Sequence, residues 1–399
     1  MPTVTEKLKT TKDSNAAMGE AMRQINPDVI CAYPITPSTP IMETFAMYLA
    51  DGEVDTELVA VESEHSAMSA CVGAAAAGAR VMNATAANGL ALMFEILCVA
   101  SGLRLPLVLG IANRPISSPL NIHGDHYDTY GVREAGWIQL YSENAQETYD
   151  NMIQAVRISE HPDVRTPVMV CMDGFQSSHC AENIVIEPDK FVTDFVGTYK
   201  PSYTTFLDVD NPTTMGAYDL PNYLFEHKRE QHQGLLEAPA VIEAVGKEYG
   251  EKTGRPYGFV EEYRLEDAEF AVVAMNATCG TAKDVVDELR EEGIKAGLLK
   301  VRVYRPFPYE IVAQALKPLK AVACLDRMLP NGAMGGPLFN EVRSALYDFA
   351  VKPSVVNYIY GIGGRDLQPK HLRRAFLRLK DIGTSGETGP YVDYLNLRE

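Results

Sequence analysis

The sequence lacks most of the signals that name a function at sight. It has no C-x-x-C, and its seven cysteines (Cys31, Cys71, Cys98, Cys171, Cys180, Cys279 and Cys324) are scattered. No cysteine spacing suits an iron–sulfur cluster held by this chain alone. There is no Walker A loop and no G-x-S-x-G nucleophile elbow. Gly361-Ile362-Gly363-Gly364-Arg365-Asp366 misses the spacing of a dinucleotide fingerprint. Positive charge is also short: 36 Lys and Arg stand against 53 Asp and Glu, a net charge of −17. That balance argues against nucleic acid and against anionic membrane surfaces. The longest apolar run, Leu90 to Ala100, carries Glu95 and is too short to span a bilayer. The segment from Met1 to Asn15 is polar and lysine-bearing, with no apolar core of a signal peptide. With Cys31, Cys71, Cys98 and Cys324 in apolar segments and reading as buried thiols, this gives the expectation of a cytoplasmic protein.

What is present is an ordinary globular composition, 46% hydrophobic and 22% charged over 399 residues. That length provides for two or three domains and a large core. The first 115 residues alternate short apolar runs with helical stripes. Runs at Val29–Ala32, Leu58–Val61, Arg80–Asn83 and Pro106–Ala112 read as strands. Asp13–Gln24, Ser38 through Leu49, Ser66–Gly78 and Asn88–Gly102 read as helices, with Ser38 a candidate cap. Strand–helix alternation with short links predicts a parallel, doubly wound sheet. An irregular stretch, Asn113–Arg133, precedes a helix at Ala145–Glu160 and a strand at Pro167–Met172. From about residue 184 to 258 prolines and tyrosines break the pattern, which predicts an irregular connector. A second α/β block begins near Val260. The last fifteen residues or so read as a tail.

Open α/β sheets bind ligands at the carboxyl ends of their strands. Four such ends carry special residues here: Tyr33-Pro34-Ile35-Thr36, Glu62-Ser63-Glu64, Ala84-Thr85-Ala86-Ala87-Asn88 and Asn113-Arg114. Glu64 reads either as a surface carboxylate at a helix start or as a shielded group that shares a proton with a bound heterocycle. Glu62 is its rival. Arg114 reads as a partner for a surface carboxylate or as a fork gripping a substrate carboxylate. Thr36, between two prolines, sits on a stiff loop, and a structural turn is an equal reading of it. His123-Gly124-Asp125-His126-Tyr127-Asp128 offers two histidines but no third ligand, so it reads as a hydrogen-bonded loop lining the site rather than a metal centre. Gly332-Ala333-Met334-Gly335-Gly336 before a helix is a candidate anion cradle.

These strings together resemble the α subunits of pyruvate:ferredoxin oxidoreductases, within the wider 2-oxoacid:ferredoxin oxidoreductases. The resemblance rests on Tyr33–Thr39, Glu62–His65, Ser101–Pro106, Asn113-Arg114, His123–His126, Tyr304–Pro308 and Gly361–Asp366. It implies a pyrimidine-type thiamine diphosphate domain over 1–258, with the connector from about 184. A transketolase C-terminal-like domain over 259–385 and a tail over 386–399 would follow. Glu64 would hold the aminopyrimidine ring, with Tyr33, Pro34, Ile35 and Asn88 also on the cofactor side. Arg114 and Thr36 would hold the carboxylate and carbonyl of the 2-oxoacid, and Ile122 would wall its side chain. The reaction implied is oxidative decarboxylation of pyruvate with coenzyme A as co-substrate. Another 2-oxoacid (branched-chain, aryl or 2-oxoglutarate) and a non-catalytic scaffold are the alternatives. Asn88 departs from the glutamine of many pyruvate enzymes. The chain also has no G-D-G for a magnesium diphosphate, so no metal is expected on it. A β subunit would share the thiamine diphosphate and bring Mg2+ and a [4Fe-4S] cluster. Further γ and δ subunits, with ferredoxin or a similar acceptor, would complete the electron path.

Overall fold

The computed structural model describes residues 4–398; residues 1–3 and 399, the extremes of the N-terminal segment and of the tail, lie outside it. In chain order the elements begin with β1 (Leu8–Lys12), α1 (Ser14–Ile25), β2 (Val29–Ala32), α2 (Thr39–Ala50), β3 (Glu57–Ala60), α3 (Glu64–Ala76) and β4 (Val81–Thr85). Next come α4 (Ala87–Leu92), α5 (Phe94–Gly102), β5 (Val108–Asn113), α6 (Tyr127–Gly131), β6 (Ile138–Tyr141), α7 (Ala145–Glu160) and β7 (Val168–Asp173). Then follow β8 (Glu182–Ile186), α8 (Asp189–Val196), α9 (Leu224–Thr253), β9 (Val260–Tyr263), β10 (Phe270–Ala274), α10 (Thr278–Glu291), β11 (Ala296–Val301) and β12 (Val303–Arg305). The chain ends with α11 (Tyr309–Leu316), β13 (Ala321–Asp326), α12 (Pro337–Leu346), β14 (Ser354–Ile359), α13 (Pro369–Ser385) and β15 (Val392–Tyr394).

The described residues form three sheets. The first orders its strands β12-β6-β7-β5-β4-β2-β3 and is parallel apart from the β12–β6 pair. The second, β15-β14-β13-β10-β11-β9, is parallel apart from β9. A small antiparallel ribbon joins β1 to β8. β4, β5 and β7 are buried throughout, as strands covered by helices on both faces must be. α3 is rich in alanine, and its Ala67, Cys71 and Ala75 bury against the sheet, so the helix lies close to it.

The expected doubly wound architecture is present, and the helix Ala145–Glu160 falls on its predicted residues. The stretch from 184 to 258 is a correction. It holds β8, α8 and the 30-residue α9, leaving irregular the long segment 197–223 and short links such as 254–258. Pro239 lies inside α9. Gly246 of the same helix lets it press on the Tyr257 carbonyl, where a Cβ would collide. Helix breakers by local preference are here overruled by packing. The tail is corrected too, since Val392–Tyr394 pairs with β14. Asn88–Gly102 is two helices rather than one, parted at Met93. Ser38 does not cap α2; its hydroxyl donates to the Ile35 carbonyl at 2.8 Å.

The two large sheets meet at a polar seam. Arg327, just past β13, donates to Asp173 Oδ1 (2.5 Å), to Gln176 Oε1 (2.7 Å) and to the carbonyl of Gly124 (2.5 Å). One apolar cluster runs through both halves, from Met68 and Leu97 to Val301 and Phe339.

Candidate active site

The strand order puts β3 on one side of β2 and β4, β5 and β7 on the other. The chain therefore reverses its winding between β2 and β4, and open α/β sheets bind their ligands beyond the carboxyl ends of the strands at such a point. Thr36 follows β2, Glu64 follows β3, Asn88 follows β4 and Arg114 follows β5.

Glu64 is the first residue of α3. Ser63 caps that helix, its hydroxyl accepting the Ser66 N–H at 3.2 Å. Glu64 is only 7% exposed. Its carboxyl lies against the start of α4, where a Cβ built on Gly89 would sit 2.7 Å from Oε1 and 2.5 Å from Thr85 Oγ1. The glycine leaves the space that the carboxyl fills. Glu62, the rival, is exposed and takes a hydrogen bond from the Ser66 hydroxyl, which holds its carboxyl below the usual range.

Arg114 is 5% exposed. Its Nη1 donates to the Thr36 carbonyl at 2.5 Å, tying the end of β5 to the loop after β2. Its Nε is buried without a partner among the described residues, and so is Thr85 Oγ1. Burial lowers the guanidinium pKa, while the charges of Asp128 and Glu64 oppose that shift. Glu64 and Arg114 therefore share one electrostatic neighbourhood.

Of the remaining predicted residues, Tyr33, Pro34, Ile35 and Thr36 follow β2 and Asn88 follows β4, while Ile122 lies between Asn121 and His123, which meet Gly363 and Gly364. Thr36 and Pro34 are exposed, Tyr33 and Ile35 half-buried. Their loop is pinned from beneath by Asn15 Nδ2, which donates to the Pro37 carbonyl at 3.0 Å. Asn88 is exposed, its Oδ1 accepting the Ser117 N–H at 3.2 Å. Ile122 is 37% exposed.

The His123–His126 loop is hydrogen-bonded along the seam between the two large sheets. Asp125 Oδ2 accepts the Gly363 N–H at 3.2 Å, Asn121 donates to the Gly363 carbonyl, and the Gly124 carbonyl accepts the Gly364 N–H. His126 Nε2 lies 3.2 Å from Asp173 Oδ1. Burial pushes Asp125 up to about 7. The anion cradle at Gly332–Gly336 is corrected. Asp326 already accepts the Leu338 and Phe339 N–H groups at 2.9 and 3.1 Å, so the chain supplies its own anion there. A carboxylate cluster at Glu143, Glu147 and Glu261 is paired with Lys283 and Lys300. A cavity of about 630 Å³ lies elsewhere, between α5, residues 214–219 and the start of α9, and none of the predicted site residues lines it.

Sequence reasoning missed Thr85, Gly89 and Asp128. Thr85 sits inside the flagged run Ala84–Asn88. The other two carry no local signal that sets them apart from a helix-start glycine and a loop carboxylate.

The first sheet, with helices on both faces and a reversal of winding between β2 and β4, makes this a doubly wound α/β domain, and its family match makes it one of the thiamine diphosphate-binding class. The chain belongs to the pyruvate flavodoxin/ferredoxin oxidoreductases. The family's thiamine diphosphate-binding domain matches residues 20–247, and the pyruvate:ferredoxin oxidoreductase core domain II matches residues 268–372. The chain is 51% identical to the pyruvate synthase subunit PorA of Thermotoga maritima, over all of both chains. It is 46% identical to that of Methanocaldococcus jannaschii, covering 92% of this chain and 93% of the relative. It is 40% identical to the ketoisovalerate oxidoreductase subunit VorA of Pyrococcus horikoshii, over 98% of each. Among solved structures it resembles the 2-oxoglutarate:ferredoxin oxidoreductase of Magnetococcus marinus, with a TM-score of 0.68 and 18% identity, over 94% of this chain and 65% of that one. It also resembles a split-gene transketolase, with a TM-score of 0.53 and 12% identity, over 95% and 99%. At these identities the structural likeness speaks for the fold. No helix among the described residues is long and apolar enough to cross a membrane.

Proposed function

We propose that this chain is the α subunit of a pyruvate synthase: with its partners it oxidatively decarboxylates pyruvate with coenzyme A to acetyl-CoA, CO2 and reduced ferredoxin. The observation that carries this is the pairing of a buried Glu64 carboxyl with a buried, unpartnered Arg114 Nε on one open sheet edge. The site suits thiamine diphosphate, because a carboxyl packed against Gly89 can accept a donor from a flat ring seated on that edge. When bound, that cofactor supplies a carbon nucleophile for the ketone of the 2-oxoacid.

Glu64 holds the proton shared with the ring and fixes its orientation. Tyr33, Pro34, Ile35 and Asn88 border the same position. Arg114 offers Nε to the substrate carboxylate while Nη1 stays on the Thr36 carbonyl. The Thr36 hydroxyl faces the substrate carbonyl, and Ile122 walls the methyl group. In this reading a first domain over 1–258 carries the whole edge, and β12 of the later part adds a strand to its sheet.

The edge is open because another chain completes it. A β subunit would bring the diphosphate site, Mg2+ and a [4Fe-4S] cluster. Further γ and δ subunits would carry electrons to ferredoxin in the cytoplasm. The exposed apolar residues Leu92, Phe94 and Leu120 follow Asn88 and Arg114 in the chain and give such a partner a surface to cover.

The test is turnover of the purified complex carrying Glu64→Gln, with pyruvate, 2-oxoisovalerate, an aryl pyruvate and 2-oxoglutarate as substrates. The expected result is a collapse of pyruvate-dependent ferredoxin reduction from a wild-type rate highest on pyruvate. Near-normal turnover would make the chain a scaffold, and a preference for another acid would reassign its substrate.

A further inference from the structure

We propose that Asp128 is a positioning residue that sets Arg114 and the Ala87–Gly89 turn in working register; this rests on the reading of the site above. Asp128 is fully buried and touches neither the Arg114 guanidinium nor the open edge through its own carboxyl. Its four hydrogen bonds are all accepted from donors. Oδ2 takes the Ala87 N–H and the Arg114 N–H, both at 3.0 Å. Oδ1 takes Asn113 Nδ2 and the Thr129 N–H, both at 2.8 Å.

Ala87 and Arg114 stand past the ends of two neighbouring strands, β4 and β5. One oxygen thus holds two site-bearing loops at a fixed separation. Ala87 needs that hold, because its φ of +41° is a left-handed conformation that a residue with a Cβ avoids. The bend it makes presents Asn88 outward and brings Gly89 under the Glu64 carboxyl. Behind the clamp, Thr129 Oγ1 joins Asn113 Nδ2 and the Tyr141 hydroxyl, each at 2.8 Å, so the carboxylate cannot swing away. The Asp128 charge also bears on Arg114 without pairing to it, leaving the guanidinium free for a substrate carboxylate.

An amide cannot replace this carboxylate, since its NH2 would face two N–H donors. In the assembled complex, Asp128→Asn should lower kcat/KM for pyruvate about 100-fold, mostly through KM. The Tm should fall, because a buried NH2 then faces two N–H donors, and thiamine diphosphate affinity should fall with the loosened Ala87–Gly89 turn, so rates are compared at saturating cofactor. In an Arg114→Ala background the same substitution should cost less than about threefold more, because both changes disable one interaction. Losses that multiply, or an unchanged KM at saturating cofactor, would overturn the proposal. Should Asp128→Asn not assemble, Asn113→Ala should give about a tenfold loss with the same non-additivity. Additive losses there would overturn it equally. If Arg114→Ala alone leaves kcat/KM intact, the reading of the site fails, whatever Asp128 does.

Discussion

Arg327 from the second sheet donates Nη1 to Asp173 Oδ1 of the first at 2.5 Å, and neither side chain reaches solvent. Burial works against the Asp173 charge. The Arg327 charge, together with hydrogen bonds from His126 and the Ala277 N–H, outweighs it and holds the carboxyl at about 2. Removing one member leaves the other charged and dry. Arg327→Met should therefore destabilise the protein by about 3–5 kcal/mol. Denaturant unfolding of the purified complex measures this, and a loss below about 1 kcal/mol would show the seam to be incidental.

The same seam predicts a pH dependence. Asp125, raised to about 7 by burial, binds its proton more tightly folded than unfolded. Its contribution to stability is full below the unfolded value of about 3.8 and is lost as pH rises through about 7. Between about pH 4 and 7 the wild-type Tm should fall more steeply with rising pH than that of Asp125→Asn, which has no proton to lose there, and above about 7 the two slopes should converge. Parallel Tm curves for the two proteins would refute this assignment.

Gly89→Ala tests the seating of Glu64. The added methyl would stand 2.7 Å from Glu64 Oε1 and 2.5 Å from Thr85 Oγ1, so the carboxyl must move. Alanine suits a helix better than glycine, and stability should change by less than about 1 kcal/mol. Thiamine diphosphate affinity should drop at least about tenfold. Unchanged affinity, read by titrating the cofactor into depleted complex, would mean that Glu64 does not meet the ring.

Arg114→Ala should lower kcat/KM for pyruvate by about 100- to 1,000-fold, as loss of a charge-assisted fork does. Cofactor content should remain. Loss of cofactor with an intact KM would place Arg114 on the cofactor side instead.

Much of the first sheet was legible because β2, β4 and β5 are short apolar runs flanked by helical stripes, and period alone separates the two. The positions of Thr36, Glu64 and Arg114 followed, since the carboxyl end of a parallel strand is a place as well as a residue. The long helix α9 was not legible: Gly234, Pro239, Gly246 and Gly250 disguise it, and those small or stiff residues serve its close contacts with Val164, Tyr257 and Pro256. β1, β8, β12 and β15 were hidden for a different reason. Each is short and at least partly defined by a partner distant in sequence. Asp128 read as one polar residue in a loop because nothing local records that four donors converge on it.

Val303–Arg305 leaves the second half of the chain and lies along β6 as the outermost strand of the first sheet. A polypeptide stopped at residue 258 would therefore expose a raw β edge and half of an apolar cluster. Such a fragment should aggregate unless residues 259–398 are supplied alongside it. Severing the halves would make two unfinished objects rather than two modules, so the cofactor edge and the remote second sheet must be made, folded and lost together.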